Sequence, residues 1–203
     1  FLLPERTAAT AKFESLIVLN SSNILYRLVI QTHQNKNLLF TDKAVTKAID
    51  QAIDKDKIVR EVLFDYGNAI DNPIPPNMIA YQKLPVKNNS SREVILQNIQ
   101  ESLAKDGWSK GGDGFLQKTV TEKKKKKVTQ TLEFSISTGN AEELAKTAEI
   151  IKQDLFKIGM KVHIKTFEIG NLNQNVIRPR DYDALLFGQI INDESDLFAF
   201  WHS

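Results

Sequence analysis

Short apolar runs and regularly spaced apolar residues divide the first third of the chain into elements. The runs Leu16–Leu19 and Leu25–Ile30 contain β-branched residues and are bounded by Asn or Ser, which predicts two strands. After each of the potential helix caps Asp42 and Asp54, apolar residues recur three or four positions apart, which predicts two helices. Gly67 should lie just past the end of the second helix. Their buried faces are expected to consist of Val45, Ala48, Ile49, Ala52 and Ile53 in the first helix and Ile58, Val59, Val62 and Leu63 in the second.

The middle third predicts one helix between irregular segments. Three of the six residues 71–76 are Pro, so we expect a turn and an extended segment on the surface. Ser90 and Glu93 have the spacing of a capping box, and the helix that they open should stop at Gly107, with Trp108 packing behind it. The apolar residues of this helix are Ile95, Leu96, Ile99 and Leu103.

Two features suggest phosphate binding at first sight, but a structural explanation fits each of them better. Gly111, Gly112 and Gly114 follow a helix and lead into an extended segment, whereas a phosphate-binding loop follows a strand and opens a helix, so we expect a plain turn. The lysines of Lys123–Lys127 have no aromatic residues between them for base stacking, which favours a solvated hairpin tip or a protected strand edge. We therefore expect no nucleic-acid partner.

The last third contains a strand, a helix and a second strand with short connections. Asn140 and Glu143 have the spacing to cap the helix, which should run up to Gly159. Two strands joined through one helix form a βαβ unit, so the two strands should be parallel. The pattern consists of Leu132, Phe134 and Ile136 in the first strand, Leu144, Ala148, Ile151, Leu155 and Ile158 in the helix, and Val162, Ile164 and Thr166 in the second strand.

The last apolar run predicts a central strand and, beyond it, a ligand site. After a helical or irregular piece, Leu172–Arg178, the run within Tyr182–Phe187 is apolar on both faces, as in a strand covered on both sides, and it should end at Gly188. Ligands of open α/β sheets bind beyond the carboxyl ends of the strands, so we expect a site in the segment Gly188–Asp196. The whole pattern indicates an α/β fold with a mixed, partly parallel sheet flanked by helices.

Composition and charge exclude several classes of protein. The 203 residues are 41% hydrophobic and 26% charged, which is typical of a folded globular chain. A formal net charge of +2 does not indicate a nucleic-acid binder, and the absence of cysteine excludes disulfides, thiolate metal sites and cysteine nucleophiles. No apolar run reaches the roughly 18 residues of a membrane span. The start at Phe1 has neither an initiator Met nor the basic and long apolar regions of a signal peptide, so we expect a piece of a longer chain.

Residues for metal binding or covalent catalysis form no familiar pattern. His33, His163 and His202 lie far apart in the sequence, none is in a pair with ligand spacing, and no carboxylate cluster accompanies them in a known metal pattern, which argues against a metal site. No Gly-x-Ser-x-Gly sequence marks a nucleophilic serine. We expect no cofactor and no metal.

An acidic cluster, formed by Asp193, Glu194 and Asp196, follows the predicted central strand. Carboxylates at that end of a sheet could take part in acid–base chemistry or bind a cationic group. The same residues could instead cap a helix over Leu197–Trp201 and supply its acidic first turn. Trp201 itself fits a ligand cavity or ordinary core packing.

Four segments match, in the same order, the landmarks of one protein family. Asp42–Val59 resembles the pattern D-x-R-V-R-x-A-[LI]-x-x-A-I-D-[RK]-x-x-I-V, and Gly67 with the later Pro-Ile-Pro-Pro resembles G-x-x-[A]-x-x-P-[IL]-P-P. Leu103–Trp108 with the following Asp-Gly resembles LL-x-x-A-G-W…DG, and Tyr182–Ser203 resembles [YF]-D-[AL]-x-x-x-G-[W]…D-P-D-x-x-x-[FY]-W-x-S. The family is that of the extracytoplasmic peptide-binding proteins of ATP-binding-cassette (ABC) importers, the oligopeptide, dipeptide and nickel-binding class known as family 5.

The resemblance implies one lobe of a clamshell, the type II fold of periplasmic binding proteins, in which two α/β lobes close on a ligand. Residues 1–203 would form a single lobe, the carboxyl-terminal one, with residues 1–23 and 188–203 near the hinge and the cleft between the lobes. A single lobe offers half of a site. We therefore expect the isolated chain to fold but to bind ligand weakly or not at all.

The resemblance also implies where a ligand binds. In family members an acidic residue shortly after the strand-end glycine can bind the free amino terminus of a peptide, and Asn192 and Asp193 occupy that neighbourhood here. Gln189, Asp196 and Trp201 complete the expected set of ligand-binding residues. Gln189 stands where family members often have Trp, which bears on peptide selectivity.

The implied function is that of the substrate-binding component of an ABC importer, which captures peptides or a related small solute and passes them to permease subunits. Such a protein is a monomer in the periplasm or at the cell surface, without catalytic residues, and meets the membrane only through the transporter or an amino-terminal lipid anchor. Two other classes stay open. An enzyme would use Asp193, Glu194 and Asp196 as acid–base groups. A scaffold module derived from the same fold would bind an anionic partner through its exposed surface or through Lys123–Lys127.

Overall fold

Two sheets and four α-helices of eight residues or more make up the described part of the chain. The computed structural model describes residues 11–21, 24–33, 36–70, 90–121 and 127–191, and for those in 11–29, for 121 and for 189–191 it describes the main chain. The helices are α1 (Lys43–Ala52), α2 (Lys55–Val62), α3 (Arg92–Lys105) and α4 (Glu142–Lys157). The strands are β1 (Ala11–Ser21), β2 (Ile24–His33), β3 (Gly67–Ala69), β4 (Ser109–Lys110), β5 (Leu116–Thr121), β6 (Lys127–Thr131), β7 (Glu133–Gly139), β8 (Lys161–Phe167) and β9 (Ala184–Ile191).

The main sheet has six strands in the order β3-β1-β2-β9-β7-β8. β7 pairs in parallel with β8 from Glu133 opposite Lys161 to Gly139 opposite Phe167, which confirms the predicted βαβ unit. β9 is also parallel to β7, whereas β2 lies antiparallel to β9 and to β1. The sheet is therefore mixed and partly parallel, as the sequence predicts.

Apolar side chains cover both faces of the central strand β9. Ala184 and Leu186 lie in the large core between the sheet and helices α1 to α4, while Leu185 points to the other face. There it packs with Leu172 and Val176, which belong to a π-helical stretch (Leu172–Ile177) that follows a single helical turn (Ile169–Asn171), and with Tyr182. The prediction of a central strand covered on both sides is confirmed. No helix in the described ranges is long and apolar enough to span a membrane.

Local signals place two of the four helix starts correctly. The Asp42 carboxylate accepts from the Ala44 N–H at 2.9 Å and that of Asp54 from the Lys57 N–H at 2.9 Å, so both predicted caps are confirmed. The cap of α3 is Ser91 and not Ser90, because the Ser91 hydroxyl lies 3.5 Å from the Val94 nitrogen.

Three predictions about the loops have different outcomes. α2 ends at Val62 in a turn, and Gly67 belongs to β3, so the expectation that Gly67 lies just past the helix is wrong. Gly111 and Gly114 form a turn closed by a 3.1 Å hydrogen bond, as predicted. β5 and β6 pair as a hairpin with Thr121 opposite Lys127, while residues 122–126 between them, like the Pro-rich segment 71–76, lie outside the described residues.

A buried carboxylate connects three helices. The side chain of Asp154 on α4 is 0% exposed and accepts from the main-chain N–H of Asp54, the cap of α2, at 2.9 Å. Lys157 Nζ lies 2.8 Å and Arg92 Nη2 3.9 Å from the same carboxylate. Arg92, the first residue of α3, also donates to the Gln51 and Ala52 carbonyls at the end of α1. Asp154 and Arg92 thus hold the end of α1 and the starts of α2 and α3 against α4.

Two of the family landmarks contact each other. Trp108 is buried, and its indole nitrogen lies 3.5 Å from the Asp42 carboxylate, while Lys118 Nζ lies 3.4 Å from Asp42 and 2.6 Å from Asp106. Partial burial of Asp42 opposes its ionisation, but neighbouring groups, including the Ala44 N–H and Lys118, hold its pKa below the ordinary value. These landmarks join α1, the end of α3 and the small sheet (β4, β5 and β6), so their role here is structural.

Candidate functional site

The carboxyl ends of three parallel strands define the candidate site. β7, β8 and β9 end at Gly139, Phe167 and Ile191, which places these ends at one edge of the sheet. The chain passes from β7 to its neighbour β8 and then back across β7 to β9. Such a reversal leaves a crevice between the two strands that flank it, here β7 and β9, and α/β proteins bind ligands in crevices of this kind. We call this edge the carboxyl edge.

At the carboxyl edge, one side of β9 has no strand partner among the described residues. β9 pairs with β7 only as far as Leu186 opposite Thr138, and the Thr138 hydroxyl donates to the Leu186 carbonyl at 2.9 Å. From Phe187 to Ile191 the described pairing of β9 is with β2 alone. The prediction that the strand ends at Gly188 is wrong, because β2 continues to pair with β9 up to Leu25 opposite Ile191. Five residues of β9 therefore present one side of their main chain towards the crevice.

A polar pair lies beside this crevice. Asn140, directly after β7, donates from Nδ2 to Glu168 Oε1, directly after β8, at 3.0 Å. The cap position of α4 is Ala141, which makes no side-chain capping bond, so the predicted cap by Asn140 is wrong. The amide of Asn140 instead connects the ends of two parallel strands, an interaction that the local sequence does not reveal.

Most of the predicted ligand-binding residues follow β9. Gln189 lies within β9, with its main chain opposite Arg27, so it precedes the strand end and does not follow it. Asn192, Asp193, Asp196 and Trp201 lie outside the described residues. The backbone of Ile191 nevertheless brings the chain to the carboxyl edge immediately before Asn192. The alternative role of the acidic cluster as a cap for Leu197–Trp201 also lies outside the described residues.

The family model for bacterial extracellular solute-binding proteins, family 5, matches residues 4–203. The chain belongs to this family. The family-5 assignment agrees with the resemblance found in the sequence landmarks and with the mixed sheet described above.

Relatives of known function or structure are about three times as long as this family-5 chain. The oligopeptide-binding protein AppA of Bacillus subtilis (strain 168) is 29% identical over 207 residues, which cover 100% of this chain and 36% of AppA. The structure of B. subtilis AppA in complex with a nonapeptide has a TM-score of 0.65 at 24% identity and covers 94% of this chain and 35% of that one.

Two further solved structures share the fold. NikA from Brucella suis in complex with Fe(III)-EDTA has a TM-score of 0.65 at 21% identity, over 94% of this chain and 34% of NikA. An oligopeptide-binding protein from Thermus thermophilus, complexed with a pentapeptide, has a TM-score of 0.60 at 21% identity, over 91% of this chain and 30% of that protein. The fold is thus that of binding proteins whose bound solutes differ in chemistry.

The Tyr-Asp landmark of the family-5 chain lies at the opposite end of β9. Asp183 Oδ2 accepts from the Ser135 N–H at 2.9 Å and from the Ser135 hydroxyl at 2.7 Å, which fixes the start of β9 against β7. The buried Tyr182 ring packs on His33 with ring centroids 5.5 Å apart, and the His33 N–H donates to the Asp183 carbonyl at 2.8 Å. This landmark therefore assembles the sheet at the edge away from the candidate site.

The environment of His33 disfavours its charged form. Its Nδ1 is buried and has no hydrogen-bond partner among the described residues. Burial, together with the positive charges of Arg180 and Lys36, lowers the pKa of His33 from the usual 6.5. The other charged groups here are Asp183, which bonds to Ser135, and Asp181, whose carboxylate lies 2.5 Å from Lys36 Nζ. His33 is thus positioned as a neutral packing partner of Tyr182.

The other histidines are apart from His33. His163 on β8 is half exposed, and its Nε2 lies 2.7 Å from Glu133 Oε1, while His202 lies outside the described residues. Within the described ranges, no group of three or more His, Cys, Asp or Glu side chains is arranged to hold a metal ion.

Proposed function

We propose that this chain forms one lobe of the substrate-binding protein of an ABC importer, which captures peptides outside the membrane and delivers them to the permease subunits. The observation that carries the proposal is the side of β9 that, from Phe187 to Ile191, has no strand partner in the described part of the chain, at the carboxyl edge of a family-5 chain. The similarity to B. subtilis AppA over the whole of this chain supports a peptide as the solute.

An extended peptide suits this edge because it can add to the sheet as a further strand. Main-chain hydrogen bonds to residues 187–191 would hold the peptide whatever its sequence, and pockets for alternate side chains would set its selectivity. The proposed ligand-binding residues are Gln189 on β9 and Asn192, Asp193, Asp196 and Trp201 after it. Among these, Asn192 or Asp193 would hold the charged amino terminus of the peptide.

Capture would proceed by closure of two lobes. The chain spans about a third of the length of its relatives, so a second lobe supplies the other half of the proposed site. A ligand stabilises the closed arrangement because it contacts both lobes there and one lobe in the open arrangement. The protein would act as a monomer outside the membrane, attached to it through the transporter or an amino-terminal anchor, and would leave the solute chemically unchanged.

Mass spectrometry of the solute that co-purifies with the full-length protein tests this function. We expect denaturation of the purified protein to release a set of short peptides, because main-chain recognition tolerates many sequences. A matched sample that has been unfolded, freed of solute by dialysis and refolded should release none.

Each other result would contradict the peptide assignment. A single non-peptide compound, such as a metal chelate, would leave the family and the fold unchanged and replace the proposed solute. A purified protein that releases nothing and binds no peptide after refolding would count against solute capture altogether.

A further inference from the structure

Three exposed residues form the turn between α2 and β3. Phe64 is 70% exposed and Tyr66 79% exposed, and Asp65 between them is exposed as well. We call Phe64–Tyr66 the aromatic turn. Large aromatic rings that face water on a folded surface commonly mark a place where another surface packs.

The aromatic turn has an unusual backbone. Phe64 and Asp65 have φ angles of 50° and 64°, in the left-handed region that favours glycine. The turn is nevertheless fixed by hydrogen bonds from the Asp65 N–H to the Val59 carbonyl at 3.1 Å and from the Tyr66 N–H to the Leu63 carbonyl at 2.8 Å. A bulky residue such as Phe is rare in this conformation, and such strained residues concentrate at functional sites.

Strand register places the aromatic turn at the carboxyl edge. Gly67, next to Tyr66, pairs with Leu19 on β1, Leu19 pairs with Tyr26 on β2, and Tyr26 pairs with Ile190 on β9. The turn is thus level with the end of β9, at the same edge as the proposed peptide site.

The aromatic turn is too far across the sheet to belong to the peptide site itself. β3 is three strand positions from β9, and a peptide strand on the open side of β9 would be a fourth. At about 4.8 Å per position, the turn lies roughly 19 Å from such a peptide. At this distance the rings do not contact the peptide. The partner that fits them best is a surface that closes over the carboxyl edge.

We propose that the aromatic turn is a closing contact, on which the second lobe of the full-length protein packs when the two lobes close on the solute. This inference rests on the proposed function, and the length of chain outside these 203 residues, about two thirds of the relatives, provides the second lobe. Phe64 and Tyr66 are exposed in the lobe described here and become buried on closure. The contact stabilises the closed form without touching the solute, so it contributes to affinity for every solute alike.

Binding and closure measurements on the full-length protein test this contact. The variants are Tyr66→Ser and Phe64→Asn, the latter because Asn tolerates a left-handed backbone. The matched control is Phe156→Ser, since Phe156 is 64% exposed but lies in the last turn of α4, next to the opposite edge of the sheet. The probes are a pentapeptide and a nonapeptide composed of alanine and glycine, with Kd measured by calorimetry and compaction by small-angle X-ray scattering.

We expect both turn variants to raise the Kd of the two peptides by the same factor, about tenfold, and to reduce the compaction of the protein on binding. The control should change neither quantity. A Kd equal to that of Phe156→Ser would overturn the closing contact alone. Weakening of the nonapeptide only would also overturn it, because the turn would then contact the solute. Failure of the wild-type protein to bind either peptide would instead overturn the proposed function, and the closing contact with it.

Discussion

Asp183 shows how one residue of a family landmark can serve assembly and not binding. Its carboxylate accepts two hydrogen bonds from Ser135 at the start of β7, on the edge of the sheet away from the candidate site. The adjacent Tyr182 is buried against His33. At this scale the chemistry of a residue type is a poor guide to its role, because a carboxylate that binds a ligand and one that satisfies a buried N–H look alike in sequence.

His33 is expected to make stability depend on pH. Burial, Arg180 and Lys36 lower its pKa in the folded state below 6.5, so between that lowered pKa and 6.5 the unfolded state binds more protons. The contribution of His33 to the free energy of unfolding should be fully present above about pH 6.5 and be lost as the pH drops through the lowered pKa. Urea unfolding between pH 4.5 and pH 8 should show a weaker fall for His33→Asn than for the wild type.

A matched histidine separates this effect from the general acid response of the protein. His163 is half exposed and lies on β8, and the variant His163→Asn should retain the fall that depends on His33. Equal pH dependence of the wild type and His33→Asn would show that the environment of His33 does not act on stability. Lys36, Arg180, Asp181 and Asp183 are unchanged in all three proteins, so their interactions with groups other than His33 cancel in the comparison.

At the scale of the element, the buried Asp154 is the contact that orders the helices. We expect Asp154→Ala to lower the free energy of unfolding by about 3 kcal/mol, because the Asp54 N–H and Lys157 then lose their hydrogen-bond acceptor and Arg92 loses its ion-pair partner. Urea denaturation followed by far-UV circular dichroism measures this change.

An exposed pair on the same helix provides the control for Asp154. Glu149 lies 3.8 Å from Lys152, and both side chains are about half exposed. Glu149→Ala should therefore change the free energy of unfolding by less than about 0.5 kcal/mol. An equally small change in Asp154→Ala would refute the role of Asp154 as the connection between the helices.

Elements whose signals are local could be predicted from the sequence, and those that depend on distant partners could not. Asp42 and Asp54 cap α1 and α2 because each carboxylate bonds within its own first turn. Asn140 has the same capability, but Glu168, which follows a strand further along the chain, takes its amide instead. The length of β9 is also non-local, since β2 sets it by pairing as far as Ile191.

For the candidate site, the sequence indicated an edge of the sheet but not its detail. The rule that ligands bind beyond the carboxyl ends of parallel strands placed it after β9, and the structure confirms that β7, β8 and β9 end at one edge. The unpaired side of β9 could not be foreseen, because it results from the register: β9 starts opposite Ile136, the fourth residue of β7, and continues past the end of β7 at Gly139. The aromatic turn was missed as well, since no pattern in the sequence shows that α2 stops at Val62.

At the scale of the whole molecule, this chain taken alone should fold and yet bind peptide poorly. It spans about a third of the length of its relatives, and capture by closure requires contacts from two lobes. We expect calorimetry with the 203-residue chain to give a Kd of about 1 mM or higher, and a far lower Kd with the full-length protein. Circular dichroism with a cooperative melt would show that the chain is folded in the same sample. Micromolar binding by the chain alone would contradict this prediction.

The pairing of β2 with β9 determines when the main sheet can be completed during synthesis. The partners extend from Thr32 opposite Ala184 to Leu25 opposite Ile191, so they are 152 (184−32) to 166 (191−25) positions apart. During synthesis β1 and β2 leave the ribosome long before β9. The edge of β2 that pairs with β9 stays unpaired until nearly the whole lobe has been made. Loop closure over this length makes completion of the sheet a slow, late step. The nascent chain should accordingly depend on chaperones that cover exposed strand edges during that interval.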